Sequence, residues 1–173
     1  QQKINIPANV AEFYQGSNID FYQQLSGIPA GIYRLTMFGF YRSGSADAAY
    51  TNFVNNENYR AKLYATADGE TLTTDIVNPF EIQNTTSFAG ETEFGTTASE
   101  STSNGFIIPN DPSCARVYFD QSWYKNTLFF FVNEGGEAQI GVKEDGEYIS
   151  TDWFPFDEFT LTYYGNTAES FQQ

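Results

Sequence analysis

The amino-acid sequence predicts an all-β domain, a jelly-roll sandwich of about eight strands in two antiparallel sheets. Three observations point there. Aromatic residues make up 18% of the 173 positions, with 17 Phe and 12 Tyr, and such side chains suit a pleated, half-buried surface better than a helix. Gly, Asn, Thr and Ser recur between the apolar segments and supply turn chemistry. The apolar segments themselves are short and mostly alternate with period two, and no long amphipathic helix interrupts them. One domain covering residues 1–173 is expected, with its core at about 17–165, which is long enough to bury a sizeable interior.

The first strand signal is Phe21 to Leu25, followed by the turn Ser26 to Gly31 and the run Ile32 to Arg42. Tyr33, Leu35 and Met37 share one face of that run, with Arg34 and Thr36 on the other, so the two segments read as neighbouring strands joined by a Pro/Gly turn. Residues 43–58 are small and polar and read as a loop with at most one helical turn. Tyr59 to Thr66 is a strand with Ala61, Leu63 and Ala65 on one face. Asp68-Gly69 is a tight turn into a shorter strand near Glu70 to Ile76.

From 84 to 105 the chain is nearly all Thr, Ser, Gly, Glu and Asn, a long polar loop that is either mobile or functional. Asn84-Thr85-Thr86 matches a glycosylation sequon. Phe106 to Pro109 leads into Ser113 to Asp120, where helix and strand are equally arguable. Thr127 to Asn133 is apolar on both faces, as a central strand would be. The turn Glu134 to Glu137 reads as a hairpin into Ala138 to Lys143, and Phe156 to Gly165 closes the domain.

Charge and composition exclude several function classes. Against 22 Asp and Glu stand 8 Lys and Arg, a formal −14, which repels phosphate backbones and anionic lipid headgroups. No stretch is long and apolar enough to span a membrane. There is no His, which removes the commonest general base and every imidazole-dependent triad. Cys114, the single cysteine, forms no internal disulfide and reads as a packing residue. No signal peptide is read at Gln1-Gln2-Lys3, an abrupt opening that fits either a processed end or an artificial boundary.

Three stretches carry a resemblance: Phe21 to Arg42 with its Leu-Ser-Gly-Ile-Pro-Ala-Gly-Ile-Tyr-Arg-Leu centre, Ala115 to Lys143, and Asp152-Trp153-Phe154-Pro155-Phe156-Asp157-Glu158-Phe159 running on to Gly165. Together they resemble the galactose-binding-like jelly-roll domains of secreted and surface proteins from gut Bacteroidetes, with Glu158 replacing the usual Asn of the closing strand. The resemblance implies kinship with carbohydrate-binding modules and a secreted, periplasmic or outer-surface location. It also implies a structural Ca²⁺ held by Asp157, with Glu12 as the acidic partner from the first strand. The bland alternative for Asp157 is a carboxylate bonded to backbone amides. The acidic positions Glu91, Glu93 and Glu100 lack the spacing of a calcium loop.

A sugar site needs a flat aromatic face with amide, carboxylate or Arg groups around it. Trp153, which follows a polar loop, is the foremost candidate, with plugging one end of the sandwich as the alternative. Trp123 and Tyr124 come next, weighed against loop anchors, and Tyr41, Arg42 and Tyr148 complete the aromatic and cationic set. Arg60 reaches either a ligand or a surface carboxylate. The expected partner is therefore a glycan, bound without catalysis or required cofactor, in a chain that can sit beside other domains of a larger surface protein. A structural or adhesive spacer is the alternative, and a glycoside hydrolase a more distant one, because some pair of carboxylates always exists among 22.

Overall fold

Alternating side chains with one apolar face pair into two four-stranded antiparallel sheets. A computed structural model of the chain describes residues 10–57, 60–81 and 100–167, with only the backbone given for 100–102. The first sheet holds β1 (Ala11–Tyr14), β10 (Trp153–Tyr163), β3 (Gly31–Gly39) and β8 (Lys125–Val132), in that order. The second holds β2 (Ile19–Ile28), β9 (Gly136–Glu144), β4 (Ala61–Ala67) and β5 (Glu70–Asp75). Among these eight, successive strands change sheet at every step except the β4–β5 hairpin, which is the strand order of a jelly roll. A ribbon of β6 (Glu100–Ser103) and β7 (Phe106–Pro109) is inserted between β5 and β8.

The core between the sheets follows the predicted faces. Tyr33, Leu35 and Met37 of β3 meet Ala61, Leu63 and Ala65 of β4, with Phe130, Val142, Phe154 and Phe156 completing the interior. Fully burying an apolar side chain of this size contributes about 1.5–3 kcal/mol.

The structure corrects several sequence expectations. The segments around 21–25 and 32–42 are not paired: β2 and β3 lie in different sheets, and the turn between them crosses the sandwich. Tyr33 fixes that crossing by donating from its hydroxyl to the Pro29 carbonyl at 2.6 Å. The expected β8–β9 hairpin is likewise a crossing. At its turn Gly135 has φ +69, and a Cβ there would come within 3.1 Å of Ile28 O and Ala30 N. The two crossings therefore pack on each other, and only glycine satisfies both the backbone and the space.

β8 is an edge strand rather than a central one. Its buried residues alternate with Phe129 and Phe131, which are 47% and 45% exposed.

Residues 43–58 contain a full helix, α1 (Ala46–Asn55), capped by Ser45, whose hydroxyl accepts from Ala48 N. The ambiguous stretch after Pro109 is also helical, α2 (Pro112–Asp120). Asp111 as N-cap and Pro112 in the first turn decide it. α2 packs Cys114, Ala115, Tyr118 and Phe119 over the outer face of the first sheet, against Phe40, Tyr124 and Trp153. Part of the expected polar loop is ordered as β6. The sequon at Asn84, the acidic Glu91 and Glu93, and Tyr59 at the expected start of a strand lie outside the described residues.

Candidate functional site

Most sequence-predicted site residues meet at one end of the sandwich, but as a packed structure rather than an open cleft. Trp153 is 3% exposed. Its indole N–H donates to Glu12 Oε2 at 2.6 Å, its ring stands edge-on to Phe40, and the Arg42 guanidinium lies 5.2 Å from its centre. It plugs the end of the sandwich and offers no free face for stacking. Tyr124 is fully buried and donates to the Pro79 carbonyl at 3.0 Å. Trp123 is half-buried and edge-on to Tyr118. Tyr148, in the loop between β9 and β10, is exposed.

On the inner side of the same end, Glu144 and Asp152 are both wholly buried. Arg60 Nη1 sits 3.2 Å from Asp152 Oδ2 and 3.8 Å from Glu144 Oε1, and Tyr41 donates to Asp152 Oδ2 at 3.4 Å. Arg60 also donates to the carbonyls of Asp145 and Glu147, tying down the β9–β10 loop. One guanidinium does not compensate two buried carboxylates. Burial first, and the neighbouring Asp152 second, push the Glu144 carboxyl up to about 9, so it holds a proton at neutral pH. Burial likewise pushes the Tyr41 hydroxyl up to about 12.

The positions that the resemblance assigns to a metal are already engaged. Glu12 lies opposite Pro155, on the same face as Asp157. Glu12 accepts from Trp153, whereas Asp157 pairs with Arg116, which also binds Asp120 and Glu158. Arg116 stands where a cation would be held, so these residues as placed do not fit a calcium ion, which takes six to eight oxygen ligands. Among the described residues no group of three or more Asp, Glu or Cys side chains is arranged to hold a metal ion.

A second region, which sequence reasoning missed, is the outer face of the β2-β9-β4-β5 sheet. Strand register sets three polar rows across it. Asp20, Lys143, Lys62 and Asp75 form the first; Tyr22, Gly141, Tyr64 and Thr73 the second; Gln24, Gln139, Thr66 and Thr71 the third. Tyr22 is 55% exposed. Tyr64 is fixed in place: its hydroxyl donates to Asp20 Oδ1 at 2.6 Å, Gln139 Nε2 donates to it at 2.8 Å, and the Lys143 ammonium lies 5.9 Å from its ring. Burial, then the hydrogen bond to Asp20, pushes that hydroxyl up to about 12.

At Gly141 a Cβ would lie 2.4 Å from Phe21 O and 2.8 Å from Tyr22 Cβ, so the bare backbone is what lets Tyr22 sit down on the sheet. Beside this row a shallow depression of about 190 Å³ is lined by Gln24, Thr66, Asp68, Glu137 and Gln139. The only sequence signal was the polar alternation Asp20, Tyr22, Gln24, Ser26, which acquires meaning once β2 is paired with β9.

The chain matches no protein-family profile and no curated protein. No helix among the described residues is long and apolar enough to cross a membrane.

Proposed function

We propose that this domain is a non-catalytic glycan-binding module that holds a neutral saccharide on the outer face of the β2-β9-β4-β5 sheet. The observation that carries the reading is the exposed Tyr22 ring set beside a depression lined by two amides, a hydroxyl and two carboxylates. Such a surface stacks on the apolar side of a pyranose and answers its hydroxyls with planar donors and acceptors. Gln24, Gln139 and Thr66 would bind hydroxyls directly, while Asp20 and Gln139 hold Tyr64 as a rigid floor. Affinity of a single shallow face is modest and rises when modules are tethered. The resemblance to galactose-binding-like domains of secreted and surface Bacteroidetes proteins supports the same reading, and with it a location outside the cytoplasm.

Catalysis is not part of the proposal. The closely placed acids Glu144 and Asp152 are sealed from solvent and cannot meet a glycosidic bond.

A protein-contact or spacer role is the second reading, favoured by Phe129 and Phe131 on the edge strand β8 and by exposed Leu72 on the edge strand β5. A glycan array with the wild type and Tyr22→Ala separates them. Binding that is lost in Tyr22→Ala and kept in Phe131→Ser supports the sheet-face site, and no binding to any glycan refutes it in favour of the protein-contact role.

A further inference from the structure

Arg42 is a buried cation with no ion-pair partner among the described residues. Only 8% of the residue is exposed. It makes no ion pair among the described residues, in a chain with 22 acidic side chains. Nη1 donates to Asn110 Oδ1 at 2.6 Å, but Nε is buried with no hydrogen-bond partner among the described residues. Buried charges are ordinarily paired, and an unmatched buried donor usually marks an ion, water or ligand.

The charges around it do not supply the partner. Asp152, the carboxylate that acts on Arg42 through space, already accepts from Arg60 and Tyr41. Glu12 is engaged by the Trp153 indole. Among the described residues, buried Asp152 is thus already shared with half-buried Arg60, and half-buried Glu12 with the Trp153 indole. The Trp153 indole face and the Asn110 amide lie against the guanidinium without supplying a negative charge.

Strand pairing places an open aromatic ring in the same row. Tyr14 lies opposite Trp153 on one side, and Arg42 bridges to Trp153 on the other. Tyr14 is 56% exposed and Asn110 is exposed as well, so the guanidinium is bordered by two groups that a ligand can reach.

We propose that this end of the first sheet is a second binding site, separate from the sheet face above, which takes a carboxylate on Arg42 with the body of the ligand against Tyr14. The ligand class is a small organic acid with an apolar ring face, of the uronic-acid type. The net −14 slows the approach of any anion, but charges more than about 8–10 Å away are largely screened at physiological ionic strength.

The test follows the Nε–H signals of the four arginines by NMR while sodium glucuronate, sodium acetate and glucose are added in turn. The expected result is a saturable shift of the Arg42 signal with glucuronate, a weaker response to acetate, none to glucose, and unmoved signals for Arg60 and Arg116. Arg42→Lys, with its fold checked by its amide spectrum, is expected to lose at least tenfold in glucuronate affinity. Tyr22→Ala is expected to leave the response intact, so the two sites stand or fall separately. No Arg42 shift with glucuronate, an equal shift of all four arginines, or an acetate response as strong as that to glucuronate overturns the proposal.

Discussion

Replacing Glu144 by glutamine tests the buried end of the sandwich with one nearly isosteric change. In the folded protein the Glu144 carboxyl is pushed from 4.5 up to about 9 by burial and by Asp152. The unfolded chain loses that proton near 4.5 and the folded chain keeps it until about 9. The stability it contributes is therefore complete below the lower value and is lost as pH rises towards the upper one. One proton of difference gives a slope of about 1.4 kcal/mol per pH unit. At pH 7 this amounts to about 3 kcal/mol relative to acid conditions, as an order of magnitude.

The glutamine amide carries no proton to lose and keeps a donor for Asp152. Glu144→Gln should match the wild type near pH 4.5 and exceed it by about 3 kcal/mol at pH 7, or roughly 6–12 °C in Tm for a domain of this size. Urea unfolding of both proteins from pH 4.5 to 9 measures the difference directly. A difference that stays constant with pH, or a variant that is less stable throughout, would refute the buried proton.

Other consequences follow from the same geometry. Trp153→Ala should destabilise by about 3–5 kcal/mol through lost packing, and should affect saccharide binding only as far as it unfolds the domain, which denaturant titration alongside binding will separate. Gly135→Ala forces a side chain into φ +69 and against two backbone atoms, at a cost of about 1–3 kcal/mol in urea unfolding. Chelation with EDTA should leave Tm unchanged, because Arg116 already engages the carboxylates of Asp157, Asp120 and Glu158; a fall of several degrees would reinstate a structural calcium.

The parts of the fold that depend on local rules were legible in the sequence. Tyr33, Leu35 and Met37, and Ala61, Leu63 and Ala65, announce their inward face by period two alone, and Asp68-Gly69 announces its hairpin. What the sequence could not tell was which sheet each strand joins. A crossing turn and a hairpin turn draw on the same Pro and Gly chemistry, so Pro29 to Gly31 and Glu134 to Gly136 read as hairpins although both cross the sandwich. The two Phe on the outer face of β8 hid its edge position for a related reason: apolar residues on both faces usually mean burial, and here one face stays exposed.

The site was less legible. Trp153 reads from the sequence as either a stacking platform or an end plug, and its partners Glu12 and Arg42, distant in sequence, make it the plug. Tyr22 passed unnoticed because its surroundings come from three other strands, whose register is a property of the whole sheet.

The most direct test of the account is an amide chemical-shift map of the wild-type protein titrated with the best saccharide from a glycan array. The proposal predicts perturbations concentrated on Tyr22, Gln24, Thr66 and Gln139, absent in Tyr22→Ala. Perturbations confined to β8 or to the loop carrying Tyr148, with the sheet face silent, would contradict it.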